Sequence, residues 1–262
     1  MEGIVAILTQ SGMRSEWHAC MLVWLLAFLP VMLFATSRIR AGHKVNLRPL
    51  AGFDALRGLS ARAAESGQTL HVSLGVKGIN GEDTAATLAG LTVLDYLAGQ
   101  GATFDAPPIV TVADPTLLPV AQDVLRHAYA RQGDIEKYDP KQVRLISPEP
   151  TAYAAGVMDV LGHEPLAANI MIGSFGDEYL LMGEVGAQKG ISQIGGATHP
   201  QTLPFVFASA DQVLIGEEIF AGGAYLAALP AHIGSLMAQD VMRLLGVVII
   251  ILLVIARLAG LT

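Results

Sequence analysis

Two long apolar runs, one near each end of the chain, constrain its fold more than any other feature of the sequence. The first run, Ala19–Ser37, has no charged side chain, and the second, Leu244–Thr262, is interrupted only by Arg257. A helix over either run is long enough to cross a hydrocarbon core of ~30 Å at ~1.5 Å per residue. Charged residues make up only 15 % of the chain, and its mean hydropathy is +0.50. These values are too apolar for a soluble protein of this length, so we predict one transmembrane helix near each end.

A cluster of basic residues directly follows the first apolar run and predicts the orientation of the chain. Arg38, Arg40, Lys44 and Arg48 lie on that side of the run. Because basic loops stay in the cytoplasm, we predict a protein of the cytoplasmic (inner) membrane, with both termini outside and the central domain inside. The predicted segments are an extracytoplasmic tail 1–18, a transmembrane helix 19–37, a basic juxtamembrane segment 38–52, a cytoplasmic domain 53–240 and a second transmembrane helix 241–262.

A cleaved signal peptide is the alternative interpretation of the first run. Ala35-Thr36-Ser37 resembles a cleavage site made of small residues. However, the early part of the preceding tail lacks the positive charge of a signal peptide, and the basic cluster after the run is typical of a stop signal. These features favour an anchor that is retained in the mature protein.

The central part of the sequence alternates between apolar segments typical of strands and segments typical of helices. The clearest helix is predicted over Leu117–Arg131, where apolar residues recur every three or four positions. Other helices are predicted over Thr84–Ala98, over Phe53–Ser66, which Gly67 ends, and from about Ala231 toward the second apolar run. This alternation predicts one α/β domain with a Rossmann-like, doubly wound, mainly parallel sheet. The predicted strands are Leu70–Leu74, Ile109–Ala113, Val143–Ser147, Asn169–Ile172, Ile191–Ile194 and Gln212–Ile215.

Three predicted strands are followed by a polar residue and a proline. These pairs are Asp114-Pro115, Ser147-Pro148 and His199-Pro200. A polar cap followed by proline at the first helical position is a common helix start, so we predict short, stiff turns in which each helix begins at the proline.

Five segments of the central part of the chain carry a resemblance to a known family: LHVSLGVKGINGEDTAATLAGLTVLDYLA, PPIVTVADPTLLPVAQDVLRHAYARQG, TAYAAGVMDVL, ANIMIGSFGDEYLLMGEVGAQKG and ASADQVLIGEEIFAGGAYLA. Together they resemble a bacterial membrane-anchored family that is known only as a domain of unknown function. The resemblance covers most of the chain between Arg48 and Arg243. It implies the anchored α/β plan, and it brings no known activity and no catalytic residues.

Glycine-rich turns after two predicted strands are the candidate ligand site. Ligands of open α/β sheets bind outside the carboxyl ends of the strands, where glycines let a ligand approach the backbone. The spacing G-x-x-G-x-x-G differs from the dinucleotide motif G-x-G-x-x-G, and no P-loop lysine follows, so a purely structural glycine loop is the favoured interpretation. The candidate ligand-binding residues are Gly75, Lys77, Gly78, Gly81, Asp114, Gly173 and Ser174.

The same edge of the predicted sheet is rich in acidic residues. Such a rim repels phosphate and suits a divalent cation or a cationic ligand, although acidic residues also favour the first turns of helices as caps. Capping is the favoured interpretation. Ser174 has no G-x-S-x-G motif and the histidines form no recognisable pair, so we predict no catalytic and no metal-binding residues, and no cofactor is assigned. The predicted rim contains Glu82, Asp83, Glu149, Ser174, Asp177, Glu178, His199, Glu217 and Glu218.

Charge and composition limit the classes of function. Between Arg48 and Arg243 there are 21 acidic and 9 basic residues, a net charge of −12, which excludes a nucleic-acid-binding domain. Small residues in Phe220–Leu226 and in the second apolar run favour close helix packing within or between subunits. We therefore favour a homo-oligomeric assembly or scaffold protein whose partners are the lipid bilayer and other membrane proteins. A membrane-tethered protein or enzyme that binds a nucleotide or another small ligand is the alternative.

Overall fold

The computed structural model of the protein describes residues 16–43, 45–81 and 83–258, and it divides into two compact units. One unit is the central α/β domain, residues 48–227, and the other combines the two terminal segments, residues 1–47 and 228–262. The helices are α1 Glu16–Arg40, α2 Ala51–Leu56, α3 Leu59–Ser66, α4 Thr84–Phe104, α5 Leu117–Gln132, α6 Pro150–His163, α7 Glu178–Gln188, α8 Leu203–Ser209, α9 Gly222–Tyr225 and α10 Pro230–Leu258, with short 3-10 turns at Ile135–Lys137, Pro140–Gln142 and Gly216–Ala221.

Six strands form the sheet of the central domain, and every observed pairing between them is parallel. Their order is β3-β2-β1-β4-β5-β6, so the direction in which strands are added reverses between β1 and β4. This observation confirms the predicted Rossmann-like sheet and each of its six strands, with shifts of a few residues at their ends. The strands are β1 Thr69–Gly75, β2 Ile109–Val112, β3 Val143–Leu145, β4 Leu166–Ser174, β5 Ser192–Ala197 and β6 Gln212–Ile215.

Helices cover both faces of the sheet, as the doubly wound plan requires. Side chains alternate between the faces along a strand. In β1, Leu74 packs near Gly90 of α4, whereas its neighbour Ser73 bonds to Tyr153 of α6 on the opposite face. Both faces are therefore dry, which explains why the inner strands are almost continuously apolar rather than alternating.

Two glycines allow β1 and β4 to run close together up to their carboxyl ends. A Cβ atom at Gly173 would lie 2.1 Å from the carbonyl oxygen of Leu74, and one at Gly75 would lie 2.3 Å from the carbonyl oxygen of Ser174. Gly75 also has a φ of 92°, a backbone conformation that residues other than glycine rarely adopt. Both positions therefore require glycine, because a Cβ atom would collide with the backbone of the neighbouring strand.

Two local predictions are wrong. The helix predicted over Phe53–Ser66 is broken into α2 and α3, because Gly58 takes a left-handed conformation with a φ of 74°. The predicted end of this segment at Gly67 is confirmed, with a φ of 65° at its C-cap.

The predicted helix starts at three prolines are also wrong, because each helix begins two or three residues later. Helix α5 begins after Thr116, helix α6 begins at Pro150 rather than Pro148, and helix α8 begins after Thr202. In each case the polar residue before the first proline accepts a backbone N–H bond in a turn of its own. Glu149 then caps α6 with its side chain, whereas Thr116 and Thr202 make no side-chain cap bond.

The terminal unit consists of the two long apolar helices, which pack against each other. Residues Cys20–Arg40 and Pro230–Leu258 are each long and apolar enough to cross a membrane. Gly234 of α10 permits the contact, because a Cβ atom there would lie 2.3 Å from Oγ1 of Thr36. The helix predicted from about Ala231 is observed as the single helix α10.

Candidate functional site

A cleft of about 600 Å³ lies at the carboxyl edge of the sheet, beside the point where the strand order reverses. The loop after β1, the end of β4, the start of α7 and the loop after β5 contribute its walls. Open α/β sheets bind their ligands at this position, because the two crossover connections diverge there and leave a crevice. The polar side chains that line it are Lys77, Asp83, Ser174, Asp177, Glu178, His199, Gln201 and Thr202.

Asp83 joins two other cleft residues through its carboxylate. The hydroxyl of Ser174 donates a hydrogen bond to Oδ2 of Asp83 at 3.0 Å, and Nε2 of His199 lies 2.8 Å from Oδ1. Ser174 is 2 % exposed, whereas the side chains of Asp83 and His199 are 23 % and 46 % exposed. The carboxylate therefore links the buried end of β4 to an accessible imidazole in the cleft.

The start of α7 places a buried carboxylate in the same cleft. Glu178 is only 5 % exposed, and its Oε1 accepts a hydrogen bond from the backbone N–H of Gly176 at 2.7 Å. An anion is favourable at this position because the N-terminus of a helix carries a partial positive charge. The chain thus already places a carboxylate at the start of α7, where helix N-termini favour an anion.

The predicted ligand-binding residues divide into two groups in the structure. Lys77 and Ser174 line the cleft. The other five have structural roles. Gly75 and Gly173 let the strands approach, and Gly78 faces the Asp114 carboxylate. Gly81 bonds only to Thr84 among the described contacts, and Asp114 caps the turn before α5.

One oxygen of the Asp114 carboxylate is engaged in its own turn. Its Oδ1 accepts hydrogen bonds from the backbone N–H of Thr116 at 2.7 Å and from the hydroxyl of Thr116 at 2.5 Å. A Cβ atom at Gly78 would lie 2.5 Å from the carboxyl carbon of Asp114, so the glycine is needed for the loop to pass. Capping therefore explains both residues without a ligand.

The predicted acidic rim is only partly brought together. Glu149 caps α6 by accepting N–H bonds from Thr151 and Ala152, and these bonds hold the pKa of its carboxyl below its usual range. Glu218 lies away from the cleft and pairs with Arg48 at 2.5 Å. Glu82 lies outside the described residues. In the described parts of the chain, no group of three or more His, Cys, Asp and Glu side chains could hold a metal ion.

A buried row of polar side chains crosses four strands and was missed by sequence reasoning. Nδ1 of His71 lies 2.7 Å from Oδ1 of Asn169, and Nε2 lies 2.9 Å from the hydroxyl of Thr111. The amide of Asn169 donates in turn to Oε1 of Gln193 at 3.0 Å. These four side chains are at most 1 % exposed, so the row stabilises one register of β2, β1, β4 and β5.

Helix α6 closes one end of this row. The hydroxyl of Tyr153 lies 2.6 Å from that of Ser73 and 2.9 Å from that of Thr111. If Tyr153 donates to Thr111 and Thr111 to Nε2 of His71, then Nδ1–H donates to Asn169 and every donor points the same way along the row. Burial lowers the pKa of His71 to about 4 and raises that of Tyr153 to about 12, so both stay neutral near pH 7.

The sequence gives one weak signal for this row. His71, Thr111 and Asn169 each lie inside a mostly apolar strand, and Gln193 is the second residue of β5. A polar residue in the middle of a strand that is buried on both faces requires a partner on a neighbouring strand. Reading the four polar residues together, rather than each histidine alone, would have predicted the row.

The fold and the cleft define a class of protein: an α/β domain with a doubly wound parallel sheet and a crevice at its strand-order reversal, in a chain with two long apolar helices. The chain belongs to the family described as Domain of unknown function (DUF6754), whose model matches residues 10–262. This match confirms the predicted resemblance to a domain of unknown function. No curated protein and no solved structure matches the chain.

Proposed function

We propose that the protein is a membrane-anchored receptor for a small polar ligand, which binds in the cleft at the carboxyl edge of the sheet. The observation that carries this proposal is the cleft itself, which combines a position used by α/β proteins for ligands with convergent polar side chains from four segments. The two apolar helices support the membrane anchor.

The charges of the cleft favour a neutral or cationic ligand over a nucleotide. Asp83, Asp177 and Glu178 contribute three carboxylates, whereas Lys77 is the one lysine or arginine among the lining residues of the described chain. A phosphate would be repelled by this balance unless a cation accompanied it. A ligand with an amino or hydroxyl group would find hydrogen-bond acceptors on two sides of the cleft.

Thermal-shift screening of the full chain in detergent tests the proposal. The panel contains amines, amino acids, polyols, nucleotides and divalent ions. A ligand at about 100 times its Kd stabilises the protein by about 2.7 kcal/mol, which gives a clear upward shift. We expect an amine- or hydroxyl-bearing compound to give this shift and Asp177→Asn to reduce it.

The matched control is Glu136→Gln, which makes the same change of charge outside the cleft and should leave the shift intact. Glu136 lies in an exposed 3-10 turn after α5. No shift with any compound would overturn the proposed cleft function. A shift with a nucleotide that survives Asp177→Asn would overturn the ligand class and favour the nucleotide-binding alternative.

We also propose the orientation that the basic cluster predicts. The protein lies in the cytoplasmic (inner) membrane, with the α/β domain in the cytoplasm and both termini outside. Arg38 and Arg40 in the last turn of α1 support this orientation. A single cysteine introduced at Asp134, on a background without Cys20, should resist an impermeant thiol reagent in intact cells and react after lysis. Labelling in intact cells would reverse the orientation.

A homo-oligomeric scaffold, with other membrane proteins as partners, is the second proposal. Its sequence support is reduced, because Gly222, Gly223 and Ala224 are buried inside the domain rather than displayed for a partner. The observation that favours it is the exposure of two large apolar side chains, Leu181 on α7 at 46 % and Phe207 on α8 at 58 %. Light scattering of the detergent-solubilised protein decides the matter, and a monomer mass would refute it.

A further inference from the structure

The imidazole of His199 contacts the carboxylate of Asp83 in the cleft, and that carboxylate also accepts a hydrogen bond from Ser174. We propose that Asp83 and His199 form a proton-accepting dyad, so that the cleft performs acid–base chemistry on a bound ligand with a transferable proton. This inference rests on the proposed ligand-binding function and adds a reaction class to it. The geometry that carries it is the contact of Nε2 with Oδ1 of Asp83 at 2.8 Å and the bond from Ser174 to Oδ2 at 3.0 Å.

The carboxylate fixes the tautomer of the imidazole. Because Oδ1 of Asp83 is an acceptor, Nε2 of His199 carries the proton and donates it, which leaves the lone pair on Nδ1. The backbone of His199 is fixed as well, since its carbonyl oxygen accepts N–H bonds from Thr202 at 3.0 Å and Leu203 at 3.3 Å. A base that is oriented by a third group in this way has the arrangement of a general base.

Ser174 has a positioning role rather than that of a nucleophile. Its hydroxyl donates to Asp83 and not to His199, so the imidazole cannot remove its proton. The order Ser–Asp–His thus differs from the Ser–His–Asp order of a nucleophilic triad. The buried hydroxyl instead locks the second oxygen of Asp83 and thereby the plane of the carboxylate.

The proposed step transfers one proton. A ligand X–H loses its proton to Nδ1 of His199, so that the X–H bond breaks, an N–H bond forms and the electron pair stays on X. The imidazolium that results is stabilised by Asp83, with Asp177 and Glu178 adding negative charge in the same cleft and Lys77 opposing them. The proton then returns to the ligand or to water, which restores the neutral ring.

A matched histidine–aspartate pair exists elsewhere in the chain. Nδ1 of His163 lies 3.0 Å from Asp159 one helical turn away, but both side chains are exposed, at 79 % and 74 %, and no described third residue orients the aspartate. Exposure alone therefore predicts that a reagent will attack His163 before His199, whereas the dyad predicts the reverse order.

Diethyl pyrocarbonate is the probe, because it acylates the unprotonated nitrogen of an imidazole. The full chain in detergent is treated at pH 8, where imidazoles are largely neutral, and the rate at each histidine is followed by peptide mass spectrometry. We expect His199 to react several-fold faster than His163, and Asp83→Asn to abolish that advantage while His163 is unchanged. Equal or slower reaction of His199, or no effect of Asp83→Asn, would overturn the proposal.

A second measurement keeps the test valid if Asp83→Asn disturbs folding. In ¹⁵N-histidine spectra of the unsubstituted protein, an imidazole N–H that donates to a carboxylate gives a downfield, slowly exchanging proton. We expect such an Nε2–H signal from His199, lost in His199→Gln and retained in Ser174→Ala, and the absence of this signal would refute the dyad. Both measurements are made without a ligand, so they succeed or fail independently of the thermal-shift screen.

Discussion

Two buried tyrosines should respond in opposite ways to the same substitution. Tyr153 and Tyr179 are both fully buried, yet the Tyr153 hydroxyl lies within 2.9 Å of two hydroxyl groups, whereas the Tyr179 hydroxyl has no hydrogen-bond partner among the described residues. Removing a bonded hydroxyl leaves its partners buried and unpaired, at a cost of about 1–3 kcal/mol. Removing an unpaired buried hydroxyl eliminates the free-energy cost of burying it without a hydrogen bond.

The structure sets the magnitude for each variant. Tyr153→Phe leaves Ser73 without its one described side-chain partner and deprives Thr111 of a donor, so we expect a loss of about 2–3 kcal/mol. For a domain of this size that corresponds to a Tm lower by roughly 4–12 °C. Tyr179→Phe should be neutral or stabilising by up to about 1 kcal/mol, because its ring keeps the edge contact with Phe175.

Thermal unfolding of the full chain, followed by near-ultraviolet circular dichroism, measures both changes. The double variant Ser73→Ala with Tyr153→Phe is the control. Replacing both partners of a buried hydrogen bond by apolar groups is nearly neutral, so the double variant should lose less than the two single variants added together. Equal destabilisation by Tyr153→Phe and Tyr179→Phe, or strict additivity, would refute the reasoning.

Two further predictions concern acid and helix packing. The pKa of His71 falls from 6.5 to about 4 on folding, so between these values the unfolded chain binds a proton that the folded chain does not. The free energy of unfolding should therefore fall by up to about 3 kcal/mol as the pH drops from 6.5 to 4. Denaturant titrations should show this pH dependence weakened in His71→Gln and unchanged in His163→Gln. Gly90→Ala should destabilise by about 1–3 kcal/mol, since its Cβ would lie 2.3 Å from the Ile172 carbonyl oxygen. Gly99→Ala in the same helix should be neutral or stabilising, and equal effects in denaturant titrations would contradict this account.

The order of helices and strands was predictable because it depends on local apolar patterns. Each strand is short and apolar, and the helix over Leu117–Arg131 shows a clean three-and-four repeat that matches α5. The break at Gly58 was not predictable in the same way, since a glycine inside an amphipathic segment is compatible with a continuous helix.

The cleft was predictable in position but not in its contacts. Asp83 and His199 are separated by 116 residues, and no local motif marks them as partners. Long-range pairs of this kind depend on which loops the strand order brings together, and local sequence patterns do not reveal that order. By contrast, Asp114 and Glu149 cap turns beside them, so their structural role follows from local rules.

The carboxyl edge of this sheet differs from a phosphate site because the chain supplies its own anions there. Asp114, Glu149 and Glu178 accept backbone N–H bonds in or before the first turns of α5, α6 and α7. Of these three, only Glu149 bonds to the first-turn donors that helices elsewhere offer to phosphate, because Asp114 and Glu178 bond to residues that precede α5 and α7. At α4 the acidic residue Asp83 turns away from the helix and bonds Ser174 and His199 instead. The fold thus keeps its crevice with carboxylates at its edge, and the accessible imidazole of His199 is the group on which the proposed ligand recognition depends.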